Sequence, residues 1–156
     1  MRLPFKSTFN VVTLLDCLEH FEDDISALKQ IASSLKVGGF VILTVPAHAA
    51  LWSYSDVVAM HYRRYSKRNL EKTIYASGLE PIFMSFFMMP LLPLAFWRHW
   101  LTKRVANFKK QFRRDFMINP AINLSFYFLV SWESHVIRHF SLPIGTSIIA
   151  VARRPT

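Results

Sequence analysis

Two apolar runs rich in β-branched residues constrain this chain most: Phe9 to Leu15 (FNVVTLL) and Phe40 to Val45 (FVILTV). Runs this short and this apolar read as strands buried on both faces. Between them Glu22, Asp23 and Asp24 open a helix, where acidic groups suit the positive end of the dipole. Ile25, Leu28, Ala32 and Leu35 share one helical face. Gly38 and Gly39, after Lys36, are expected to end that helix, and Pro46 stops the second strand. Strand, helix, strand in this order predicts a parallel pair.

A polar, aromatic loop then runs from Ala47 to Tyr65. Ser66 can cap a helix reaching about Ser77, with Gly78 ending it. Leu79 to Phe87 reads as a third strand, which Pro81 places at an edge or a bend. Thr146 to Ala152 (TSIIAVA) reads as a fourth. The predicted class is α/β, a parallel sheet with helices on its faces. Residues 89–140 differ from their surroundings, being rich in aromatics, Met and basic residues. They form a helical insertion within a single domain covering residues 1–156.

A chain of 156 residues is long enough for one domain with a real core, and 52% hydrophobic residues exclude global disorder. One cysteine, Cys17, rules out an internal disulfide and fits a reducing compartment. The first residues, MRLPFKSTFN, lack the unbroken apolar core of a signal peptide, so a cytoplasmic location is expected. Nineteen basic against ten acidic residues give a formal charge of +9, which suggests an anionic partner, nucleic acid or lipid headgroups.

The stretch Leu14 to Asp24, LLDCLEHFEDD, carries the most chemistry. It lies where the first strand ends, and open α/β sheets bind ligands beyond the carboxyl ends of their strands. Asp16, Glu19 and His20 are therefore well placed for a site. The competing reading is that Asp16 and Glu19 only cap the following helix. The residues assign no metal ligands.

FNVVTLLDCLEHFEDD followed by LKVGGFVILTVPAH resembles the class I S-adenosylmethionine-dependent methyltransferase family. The run LWSYSDVVAMHYRRYS is similar to a subset of its members, and the last strand with Arg153-Arg154-Pro155 after it resembles the family's closing strand. The resemblance covers residues 3–88 and 142–155. It implies an incomplete Rossmann-like methyltransferase sheet, the family's strands four to seven, with the helical insertion before the last strand. It implies S-adenosylmethionine as cofactor, with Leu15, Asp16, Cys17 and His20 lining its pocket. It places His48, Trp52, Asp56, Arg63, Arg64 and Tyr65 on the substrate side, with His61 and His20 as candidate general bases. Arg63 and Arg64 suit an anionic acceptor, but pairing with Asp56 or solvent explains them equally. Trp52 and Tyr65 suit an acceptor wall or core packing. The family's Gly-rich turn has no counterpart among Gly38, Gly39, Gly78 and Gly145, so the expectation is that the first three strands are absent and cofactor binding is impaired.

Within the insertion, Ile82 to Leu101 approaches the length of a membrane span, but Pro90, Pro93, Arg98 and His99 oppose a simple spanning helix. An amphipathic helix with Trp97 and Trp100 is expected, followed by Lys103, Arg104, Lys109, Lys110, Arg113 and Arg114, and then a second apolar helix from about Ala121 to Phe140. A helical lid over the sheet is one reading and peripheral contact with an anionic membrane another. Nucleic-acid binding ranks third. Two functional readings result: a methyltransferase acting on a small-molecule or lipid-type acceptor, or a non-catalytic relic serving as an interaction or membrane-surface module. In the second, an exposed sheet edge invites self-association.

Overall fold

A computed structural model describes residues 3–102 and 120–156. The described elements are β1 (Phe9–Leu15), α1 (Asp24–Ser34), β2 (Leu35–Pro46), α2 (Tyr54–Val58), α3 (Lys67–Ala76), β3 (Glu80–Phe87), α4 (Leu92–Thr102), α5 (Pro120–Ile137) and β4 (Ser147–Arg153). The strands form one four-stranded sheet in the order β1-β2-β4-β3.

β1 and β2 are parallel, as their helical connection requires. β4 is antiparallel to both β2 and β3, so the sheet is mixed where a parallel one was expected. Its first residue, Ser147, pairs with Pro46 and Phe87, the last residues of its two neighbours. A strand entering at the carboxyl edge must run against the others, and residue alternation does not encode that direction. β3 is an edge strand, with a register shift between Pro81 and Phe83 at its start.

The local signals sort by their chemistry. Asp23 caps α1, its carboxylate accepting from the Ser26 amide at 2.9 Å. Ser66 caps α3 through the Asn69 amide, and Gly78 follows that helix at φ +83. Gly38 and Gly39 do not end α1. The helix stops at Ser34, and both glycines lie inside β2. Gly38 has φ +77, and a Cβ on Gly39 would sit 2.9 Å from the Lys36 carbonyl and 3.0 Å from that of Asn10. The pairing register between β1 and β2 shifts here, so the glycines relieve a bulge.

Leu14, Val41, Leu43, Val45, Ile148, Ala150 and Ala152 form the inner face of the sheet. They pack with Leu28 and Ile31 of α1 and Leu70 and Ile74 of α3, and α1 and α3 touch each other on that side. The opposite face is less covered. Val11, Leu15 and Phe40 are 49%, 64% and 38% exposed. The first two strands, read from sequence as buried on both faces, are thus covered on one, completely only at Leu14 of β1 and at Val41, Leu43 and Val45 of β2.

Beyond β3, α5 is tied to the sheet by one carboxylate. Glu133 is buried and accepts from the amides of Met88 and Met89, both at 2.9 Å. Met88 holds a left-handed conformation, φ 56, which turns both amides toward it. Leu142 is buried, and its amide donates to Ser85 Oγ at 2.8 Å. The two expected insertion helices are therefore present, with Trp97, Trp100, Tyr127 and Trp132 exposed. Lys103, Arg104, Lys109, Lys110, Arg113 and Arg114 lie outside the described residues. Among the described residues no helix is long and apolar enough to cross a membrane.

Replacing Glu133 by Ala strips two part-buried amides of their acceptor. The expected cost is about 1–3 kcal/mol. Hydrogen exchange should speed up at Met88, Met89 and α5, while the Val41–Val45 amides stay protected.

Candidate functional site

The parallel strands β1 and β2 end at the same edge, and each is followed by a non-glycine residue in the left-handed region. Asp16 follows β1 at φ 46, and His48 lies just past β2 at φ 59. Asp tolerates this region better than most residues, but the conformation still needs support from its surroundings. Thr44 supplies that support: the Asp16 amide donates to its carbonyl at 3.1 Å and to its hydroxyl at 2.9 Å. The Asp16 side chain is left exposed at the strand ends beside exposed Leu15 and half-buried Cys17. Burial, and then the nearby Glu19 carboxylate, push the Cys17 thiol pKa upward, so it is not a primed nucleophile.

The next turn, Leu18–His20, carries the acid and histidine of the motif. Glu19 is fully buried, and among the described residues neither carboxylate oxygen has a hydrogen-bond partner. Burial raises its pKa above the ordinary carboxylate range. Neither Asp16 nor Glu19 caps α1; Asp23 does. His20 is exposed, and its ring meets that of His61 edge to face at 4.7 Å.

His61 arrives from the loop between β2 and α3, and two buried acids hold that loop in place. Asp56 is the first. It accepts from the Ser53 amide at 2.8 Å, from Arg64 Nε at 2.8 Å, and pairs with His61 Nδ1 at 3.1 Å. Burial opposes its ionisation, but the bonds from Arg64 and Ser53 outweigh burial and hold its pKa below the usual range. Asp24, in the first turn of α1, is the second. It accepts from the Tyr65 hydroxyl at 2.7 Å and pairs with Arg63 Nη1 at 3.0 Å. Arg63 also donates to the Glu22 carbonyl. The Tyr62 amide closes the loop onto the Glu19 carbonyl at 2.8 Å. His61 Nε2 then stands 4.0 Å from Glu19 Oε1.

The predicted residues separate into groups on this geometry. Leu15, Asp16, Cys17 and His20 lie together after β1. His61 joins them from the second loop. Arg63 and Arg64 pair with Asp24 and Asp56. Tyr65 is 2% exposed and its hydroxyl donates to Asp24, and burial and that bond push its pKa far up. Asp56 orients His61 and Arg64. His48 stacks its ring on Phe86 at 5.3 Å and meets the Gly145 carbonyl at 2.9 Å, at the β3–β4 end of the sheet. Trp52 is half-buried. Sequence reasoning gave Thr44 and Asp24 no place in the site and did not foresee the burial of Glu19. No periodic signal exposes them, because each acts through a contact distant in sequence.

This chain belongs to the methyltransferase-domain family, whose model matches residues 3–82, just over half of its length. Its fold is that of solved class I methyltransferases. It is similar to phosphoethanolamine N-methyltransferase 2 of Haemonchus contortus, solved with S-adenosyl-L-methionine, at 18% identity and TM-score 0.52, over 97% of this chain and 34% of that one. It is similar to an S-adenosylmethionine-dependent methyltransferase from Archaeoglobus fulgidus at 13% identity and TM-score 0.52, over 95% and 60%. It is also similar to the [4+2]-cyclase SpnF at 18% identity and TM-score 0.52, over 99% and 54%. The chain thus spans between about a third and three fifths of those structures. No curated protein matches its sequence.

The Asp56 carboxylate has a lower pKa in the fold than in the unfolded chain. Its stabilisation is therefore present above about pH 4 and is lost as the pH falls through the folded value. Asp56→Asn should cost about 3 kcal/mol at pH 7. Urea unfolding at stepped pH should show the gap between variant and parent closing below about pH 4.

Proposed function

We propose that this chain contributes part of the catalytic domain of an S-adenosylmethionine-dependent methyltransferase acting on a small-molecule or lipid-type acceptor. The observation that carries this reading is the clustering of Leu15, Asp16, Cys17, His20 and His61 at the carboxyl ends of two parallel strands, in a chain of the methyltransferase-domain family.

The residues fit one wall of a pocket for the cofactor. Leu15 offers exposed apolar surface for a flat ring, and the Asp16 carboxylate beside it can accept from hydroxyl or amino groups. When bound, the cofactor supplies an activated methyl on a sulfonium centre. Little covalent help is then needed, and the protein's work is alignment. Of the two candidate bases, His20 is the exposed one and can reach an acceptor proton, while His61 turns inward toward Glu19. The Haemonchus enzyme, also solved with phosphomonomethylethanolamine and S-adenosylhomocysteine, gives a precedent for a small amine acceptor on this fold.

A second reading, an interaction or membrane-surface module, is favoured by the open sheet face at Val11, Leu15 and Phe40 and by the exposed aromatics of α4 and α5. It predicts self-association or vesicle binding. A stable monomer by light scattering, without co-sedimentation on anionic vesicles at low salt, would count against it.

The methyltransferase reading is tested by NMR titration of the chain with S-adenosylhomocysteine, which detects weak binding. Saturable shifts centred on residues 15–20, lost in Asp16→Ala, are expected. Absence of shifts there at any ligand concentration contradicts the pocket assignment.

A further inference from the structure

We propose that Glu19, His20 and His61 form a binding site for a divalent transition metal of the zinc class. Their ligand atoms all lie within 4.8 Å of one another. The set of two imidazoles and one carboxylate comes from two segments, the turn after β1 and the loop after β2.

Three observations converge on a cation. First, both oxygens of Glu19 are buried with no hydrogen-bond partner among the described residues, and a buried carboxylate without a donor is strongly unfavourable. Second, the acceptors face each other. Asp56 Oδ1 accepts from Arg64 Nε and Oδ2 accepts from the Ser53 amide, so the carboxylate is an acceptor on every side and His61 Nδ1 is the donor of their 3.1 Å contact. His61 Nε2 therefore turns a bare lone pair toward Glu19 Oε1, 4.0 Å away, with nothing donating between them. A metal ion between the two satisfies both. Third, the carboxylate behind the imidazole is the outer support that metal-ligating histidines generally have, since it fixes the tautomer and raises ligand basicity.

The chemistry selects the metal class. Two nitrogens and one oxygen suit zinc and its neighbours, whereas magnesium and calcium take oxygen ligands. Bonds of about 2.0–2.1 Å put tetrahedral ligand atoms about 3.4 Å apart, so the side chains must close inward from their present spacing. His20, exposed on its turn, has the freedom to do so. With three protein ligands, the fourth position stays open to water or to an acceptor oxygen. The site shares His20 with the pocket proposed above, and a His20 engaged by metal does not serve there as a base; metal binding is measured without any adenosyl compound, so the two readings fail separately.

The test is titration of the tag-free, metal-stripped chain with Zn²⁺ by calorimetry and with Co²⁺ by visible absorption. One zinc per chain is expected, not displaced by excess Mg²⁺, with cobalt bands of a tetrahedral or five-coordinate site. Glu19→Gln and His61→Ala should each weaken binding at least tenfold. His20→Ala, at an exposed position where the fold is not at stake, should do the same. Asp56→Asn should weaken it about tenfold through orientation alone. No zinc uptake, or uptake indifferent to His20→Ala and Glu19→Gln, would overturn the proposal and leave Glu19 as a protonated buried acid.

Discussion

The buried Asp56 carboxylate is the interaction on which the rest of the site depends. It gathers the Ser53 amide, the Arg64 guanidinium and the His61 ring within 3.1 Å of itself. A loop between a strand and a helix has no ladder of its own to satisfy its polar groups. One ionised acid with three partners does that work here, and it closes a capping box over α2 at the same time. Asp24 repeats the device from the other side, holding Tyr65 and Arg63 against the start of α1. Between these anchors the chain passes Glu19, and His61 Nε2 stands 4.0 Å from its carboxylate.

The sheet then gives this arrangement its place. Parallel β1 and β2 finish at one edge, so the turn bearing Glu19 and His20 and the loop bearing His61 rise from neighbouring strand ends. The left-handed turn at Asp16, fastened to Thr44, swings the chain out of β1 and into that turn. Solved structures at 13–18% identity share this scaffold, and a [4+2]-cyclase is among them. The scaffold positions a site, and the residues at the strand ends determine the chemistry.

What the sequence made legible was local. The β-branched runs, the acidic opening at Glu22 to Asp24, the cap at Ser66, the stop at Gly78 and the edge proline at Pro81 each carry their signal within a few residues, and each marks an element of the fold. What it hid was long-range. The reversed direction of β4 depends on where α5 delivers the chain. The Gly38–Gly39 pair looks like a helix stop and is a bulge, because its constraint comes from the Asn10 carbonyl on another strand. The motif residues around LLDCLEH were visible, but the pairing of Arg63 and Tyr65 with Asp24 and of Arg64 with Asp56 leaves no periodic signal. Glu19 looked like a helix cap and is an orphaned acid in the interior.

The central claim is that Asp56 fixes the His61 ring so that its bare nitrogen faces Glu19. The most direct measurement is the ring-nitrogen NMR spectrum of the metal-free chain at about pH 8.5, above the ordinary histidine range. A single neutral tautomer of His61, protonated on Nδ1 and lost in Asp56→Asn, is the predicted result. A proton on Nε2, or a mixture of tautomers unchanged by that substitution, would contradict it.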